Sequence, residues 1–243
     1  VWGGRRLAET PAFEDLARSG GGPAGPAPIG EAWVVADLPE DVADGRSLIR
    51  RGPGAGLTLH ELIRRHPDAV LGRAEAAEDG GFPLLVKWLD AAEDLSVQVH
   101  PTASYAAAHP EARVKSEAWF IVAADPGARI LRGFRPDPTT GDRRRSAADL
   151  RRAVSDGTIA EELESMPAVP GDCHVLPSGL CHALGGGILV IEVQTPSDTT
   201  FRLHDWGRSG RSLHIEPAIA CLAGPDAPSD SPPVTRATAT IHG

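Results

Sequence analysis

The chain has 243 residues, a formal net charge of −9 and 41% hydrophobic residues, enough for one globular core. The acidic balance speaks against nonspecific nucleic-acid binding, which needs Lys and Arg against phosphates, so an anionic ligand would have to meet a local cationic pocket. No apolar run approaches the roughly 18–20 residues of a membrane span.

The opening Val1-Trp2-Gly3-Gly4-Arg5-Arg6 lacks the apolar stretch of a secretory leader, and the missing Met reads as a trimmed or incomplete start. Residues 18–29 have the Gly/Pro composition of a loop, and Glu31-Ala-Trp33-Val-Val-Ala predicts a short strand. Thr58-Leu-His-Glu61 carries a capping-box pattern and opens a helix to about His66. The apolar runs Leu84–Leu89 and Leu95–His100 are separated by Asp90–Asp94, as strands joined by a turn would be. Two further strands, from Glu117 and from Ala128, flank Asp125-Pro-Gly127.

The pattern then changes. Ser146–Val154 reads as a helix ended by Asp156-Gly157, and Thr158–Met166 reads as a second helix. Strands return at 172–176, 187–194 and 200–205, and after Cys221 a Pro-, Ala-, Ser- and Asp-rich stretch predicts a flexible tail. The whole predicts a mainly β barrel domain over 1–222, with a helical insertion at about 143–167 and a tail over 223–243. Cys173, Cys181 and Cys221 form no C-x-x-C pair; an odd count without a leader fits a reducing cytoplasm, with packing favoured over a ligand role.

The chemistry concentrates in three stretches. Gln98 and His100 are two apart on a strand, so both emerge from one face while Val97 and Val99 take the other. Glu117 begins another strand with Lys115 on its face, and His182 ends the turn after Pro177-Ser-Gly179. Two imidazoles, a carboxylate and an amide form a ligand set that suits Zn²⁺ and leaves a position open. His174 is the rival to His182; His60, His66 and His109 read as surface residues. Arg143-Arg144-Arg145 reads as a solvated charge run, not a phosphate grip.

Gly171, Pro177, Gly179 and His182 (G-x5-P-x-G-x2-H) match the second motif of the cupin family, which implies a cupin-type β-jelly-roll barrel with inserted α-helices. The resemblance goes further. Phe82–Pro101, Lys115-Ser-Glu-Ala-Trp119 and Pro196–Arg202 are similar to type I mannose-6-phosphate isomerase in its shorter bacterial form. Trp2-Gly3-Gly4, Gly30–Trp33 and Arg211–Pro217 agree, so the similarity runs from residue 2 to about 222.

What the resemblance implies is zinc-dependent interconversion of mannose 6-phosphate and fructose 6-phosphate through a cis-enediolate. The family's zinc ligands fall on Gln98, His100, Glu117 and His182, its active-site arginine on Arg202 and its pocket lysines on Lys87 and Lys115. A small-molecule sugar phosphate is then the partner, and a monomer is compatible with the sequence. The base stays open between Lys115, Glu192 and a zinc-bound water, and Lys87 and Glu192 are candidates to line the substrate pocket. Without the resemblance, Arg202 would pair with Asp198.

The sequence departs from the family pattern in three places. Thr102 stands where an acidic residue is usual, which would remove a hydrogen bond behind the ligands. The first strand lacks the usual Ser and acidic residue. The small β-lobe of the short form has no counterpart after Cys221, which reads as an excised domain, a natural truncation or an impaired enzyme. The alternatives are another metal-dependent cupin enzyme, such as an iron oxygenase, and a non-catalytic sugar-phosphate-binding cupin.

Overall fold

The computed structural model describes residues 2–13 and 27–236; residues 18–26 of the expected loop and 237–243 of the expected tail lie outside them. Among the described residues eleven strands form two antiparallel sheets. The larger runs β1 (Glu31–Val35), β2 (Leu85–Ala91), β9 (Ile188–Gln194), β4 (Glu117–Ala124), β7 (Asp172–Leu176) and β11 (Thr235–Arg236). The smaller runs β10 (Phe201–His204), β3 (Val97–Val99), β8 (His182–Leu184), β5 (Arg129–Phe134) and β6 (Leu163–Pro167). The helices are α1 (Leu59–Arg65), α2 (Pro67–Leu71), α3 (Ala103–Ala108), α4 (Ala147–Ser155) and α5 (Ile215–Leu222). This is the expected jelly-roll barrel.

Strand alternation separates its two kinds of interior. Leu89, Trp119, Ile121, Ile130, Leu176 and Val190 pack between the sheets. On the other face of the smaller sheet, Val97, Val99 and Leu203 pack against Leu150 and Ala153 of α4 and Ala218 and Ile219 of α5. The valines of β3 therefore serve the helical layer, which leaves Gln98 and His100 for the barrel interior. The expected capping box is present: Thr58 Oγ1 accepts from the Glu61 N–H, and the Glu61 carboxylate accepts from the Thr58 N–H at 2.8 Å.

Several expectations need correction. The strands β2 and β3, and β4 and β5, follow one another through short connections as expected, but each connection crosses from one sheet to the other. The second inserted helix does not form: 158–162 is a turn and Leu163–Pro167 is strand β6, with Leu163 opposite Phe134 of β5. Burial of Leu163 on the sheet edge overrides the helix-forming Ala-Glu-Glu-Leu-Glu run. The glutamates of that run meet the arginine triplet: Arg143 pairs with Glu164 at 2.7 Å and Arg145 with Glu162 at 2.9 Å. Arg143–Arg145 is thus a structural clamp and not a solvated run.

The segment after Cys221 does not hang free up to Arg236. Ala227 is buried, the buried Arg132 guanidinium donates to the Pro232 carbonyl, and β11 pairs with β7 while Arg236 bonds Asp172 at 2.6 Å. His60 is buried and lies 3.3 Å from Asp37, which also accepts from the Phe82 N–H at 2.8 Å; His66 is exposed and His109 half-buried. Strand β8 and helix α5 went unforeseen, β8 because three residues carry no periodicity.

Within the cupin motif the glycines have different reasons. Gly171 has φ +90° with open space around its α-carbon, so it supplies conformation alone. Gly179 has φ +78°, and a Cβ there would sit 2.7 Å from Thr102 Cγ2, so the turn that delivers His182 is also tightly packed. Gly171→Ala should cost about 1 kcal/mol. Gly179→Ala should cost about 2–3 kcal/mol, lowering Tm by roughly 4–12 °C. Equal thermal shifts for the two variants would remove the packing argument.

Candidate metal centre

Three buried side chains from separate stretches converge inside the barrel. His100 follows β3, Glu117 opens β4 and His182 opens β8, and their ligand atoms all lie within 4.8 Å of one another. His100 Nε2 is 3.2 Å from Glu117 Oε2, and His182 Nε2 is 3.2 Å from Glu117 Oε1. Each imidazole donates from Nδ1 to a backbone carbonyl, His100 to Thr199 at 3.1 Å and His182 to Leu180 at 2.8 Å. That fixes both rings with the Nε2 lone pair facing Glu117, the tautomer a metal requires. Burial, helped by the Lys115 charge, depresses the His100 pKa to about 3, so the ring stays neutral.

His100 Nε2 and both Glu117 oxygens are buried without a hydrogen-bond partner. Buried acceptors left this way carry a desolvation penalty that a cation among them would offset. Burial works to raise the Glu117 pKa, yet the nearby Lys115 charge holds it well below the usual carboxylate range. Lys115 Nζ lies 3.0 Å from Glu117 Oε2. The donor set and these orphaned atoms fit a divalent metal ion.

Gln98 stands at the edge of the same cluster. It is the direct cross-strand partner of His182, with its Nε2 3.3 Å from His182 Nε2 and its Oε1 accepting from Ser96 at 3.2 Å. A half-turn of the amide would bring Oε1 inward, where it could serve as an oxygen ligand. His174 is buried elsewhere in the barrel, 3.2 Å from Arg132 Nη1, and is not in the cluster; none of the three cysteines is either. Thr102, in place of the family's acidic residue, caps α3 by accepting from the Tyr105 N–H at 3.3 Å.

Beside the cluster opens a cavity of about 240 Å³, lined by Gln98, Lys115, Lys87, Glu192, Arg202 and Trp119 among others. Lys87 is not turned outward: its Nζ lies 3.1 Å from Glu192 Oε1 and 3.5 Å from Glu31. Burial disfavours its charge, but these carboxylates raise its pKa and keep it protonated. Glu192 Oε2 accepts from the Trp119 indole N–H at 2.8 Å, and its Oε1 is 3.8 Å from Lys115. Arg202 Nε is buried without a partner; among the described residues Asp198 forms no ion pair with it, although both line the cavity. Burial lowers the Arg202 pKa, with Arg211 adding to the effect.

Sequence reasoning gave no role to Trp119, Arg211 or Asp205. Arg211 lines the cavity and is anchored through Nε and Nη2 on the buried Asp205, at 3.0 and 2.6 Å. Trp119 was findable, since it is two residues from Glu117 on one strand and so shares its face. Arg211 lies in an irregular loop, where no period marks an inward residue.

Residues 1–122, half of the chain, match the family model for phosphomannose isomerase type I, catalytic domain. The chain belongs to this family. A mannose-6-phosphate isomerase of Streptococcus mutans is 34% identical over 227 residues, covering 91% of this chain and 64% of the relative. The crystal structure of the mannose 6-phosphate isomerase of Bacillus subtilis aligns with a TM-score of 0.72 and 33% identity, covering 93% of this chain and 66% of that one. The Salmonella typhimurium enzyme, solved with its substrate and zinc bound, shares the fold at 20% identity and a TM-score of 0.60, covering 99% of this chain and 75% of that one. The chain spans just under two thirds of the length of the curated relatives it matches over most of its own length. Among the described residues no helix is long and apolar enough to cross a membrane.

Metal analysis after gel filtration should find divalent metal retained by His174→Ala and lost from His182→Ala and Glu117→Ala. Chelation should lower Tm and re-addition restore it, because an ion that binds the folded chain stabilises it by mass action. Equal metal loss in His174→Ala and His182→Ala would remove His182 from the site.

Proposed function

We propose that the chain is a zinc-dependent aldose–ketose isomerase that interconverts mannose 6-phosphate and fructose 6-phosphate. The observation that carries this reading is the pairing of buried, unpartnered acceptors on His100 and Glu117 with an adjoining cavity in which the buried Arg202 Nε also lacks a hydrogen-bond partner. Family membership and the named activity of the relatives support the choice of substrate. Gln98, His100, Glu117 and His182 would hold the zinc. When bound, that ion supplies positive charge and Lewis acidity for sugar oxygens at the floor of the cavity.

The residues divide the remaining work. Moving a proton between C1 and C2 builds negative charge on oxygen in a cis-enediolate, and Arg202, with an uncommitted buried N–H, stabilises it. Arg211, anchored on Asp205, adds a second guanidinium to the wall, and its N–H groups not used on Asp205 donate to the phosphate. Lys87 is already neutralised by Glu31 and Glu192, so it orients sugar hydroxyls in preference to gripping phosphate. Lys115 and Glu192, 3.8 Å apart, form the pair through which the proton is exchanged. Three unpaired cysteines fit a reducing cytoplasm.

The deciding experiment is a coupled assay for fructose 6-phosphate formation from mannose 6-phosphate, on purified protein before chelation, after chelation, and after adding back zinc or iron. Activity should vanish on chelation and return with zinc, and Arg202→Ala should lower kcat/KM about a hundredfold or more. No product in any arm defeats the isomerase reading; rescue by iron alone defeats zinc.

A further inference from the structure

Trp119 ties the metal cluster to the substrate wall. It is fully buried in β4, its ring stands edge-on to the His182 imidazole at 5.3 Å, and its indole N–H donates to Glu192 Oε2 at 2.8 Å. Register makes the contact direct, because Trp119 and Glu192 are cross-strand partners between β4 and β9. On the other side of Glu192, its partner on β2 is Lys87, whose ammonium meets Oε1 at 3.1 Å. The carboxylate is thus held from both flanks, one oxygen by a neutral donor and the other by a cation.

Such an arrangement has a chemical consequence. Oε1 accepts no hydrogen bond of good geometry and is the oxygen nearer Lys115, at 3.8 Å. Without the indole, the carboxylate is free to rotate and present both oxygens to Lys87, its strongest partner, which draws Oε1 away from Lys115. We infer that Trp119 is a positioning residue that fixes the Glu192 carboxylate for proton exchange in the cavity. The inference rests on the isomerase reading. A Trp119 that merely filled the core would matter equally with or without Glu192.

A double-mutant cycle separates these roles, since residues acting through one another are non-additive. Trp119→Phe keeps an aromatic ring in the core but removes the donor together with part of the ring volume, and the volume loss is common to both backgrounds. It should lower kcat/KM about ten- to a hundredfold, the worth of a hydrogen bond to a charged group, with bound zinc unchanged. In a Glu192→Ala background the same substitution should change kcat/KM less than about threefold, within the usual error of additivity. Equal losses in both backgrounds, or loss of zinc in Trp119→Phe, overturn the inference.

Two measurements keep the outcome readable if catalysis or folding fails. If wild-type protein forms no product, the isomerase reading falls by itself, and the cycle is read on the Kd for fructose 6-phosphate by calorimetry, where additive effects overturn the tether. If Trp119→Phe does not fold, the indole N–H spectrum of Glu192→Ala decides. One buried indole signal must move; an unchanged spectrum means that no tether exists.

Discussion

A carboxylate buried without water is the condition on which the site depends. Glu117 lies between two imidazoles whose Nδ1 protons are already committed to backbone carbonyls, so neither ring needs to donate to it. Among the described residues Lys115 is the lysine or arginine in ion-pair contact with it, at 3.0 Å from one oxygen. Removing a charged group from water is unfavourable unless it is paired and hydrogen-bonded, and here the pairing is incomplete. A cation bound among these atoms would complete the balance.

Register turns that local condition into the layout of the candidate site. Across the larger sheet, Trp33, Lys87, Glu192, Trp119 and His174 form one transverse row of direct cross-strand partners. Across the smaller sheet, Arg202, Gln98, His182 and Arg132 form another. Side chains alternate along a strand, so a slip of one residue in any pairing would turn its member of the row out of the barrel. The apolar neighbours on the same strands, such as Ile121, Val190 and Leu184, enforce the register because they must stay between the sheets.

Buried aspartates secure the irregular segments around this frame by one recurring device. Asp37 takes the Phe82 N–H and faces His60 and Arg46; Asp90 takes the Arg6 N–H; Asp205 binds Arg208 and Arg211. In each case a backbone donor or a cation meets a buried carboxylate, although Asp37 Oδ1 keeps no hydrogen-bond partner. Asp205 links this scaffolding to the cavity, since one of the arginines it holds lines the wall.

The sequence by itself pointed to the buried His100, Glu117 and His182 cluster and to the barrel. Period-two alternation at Gln98 and His100 and the Gly-Pro-Gly-His turn are local patterns, fixed by backbone geometry before any long-range contact exists. The tertiary structure decided what depends on partners far along the chain. Leu163–Pro167 became a strand because β5 offered an edge, and the arginine triplet became a clamp because that strand carried glutamates to it. His60 was drawn inside by Asp37, while Lys87 turned into the cavity toward Glu192. Burial and charge pairing are properties of neighbours in space, and a linear pattern carries no record of which neighbours the sheets will bring together.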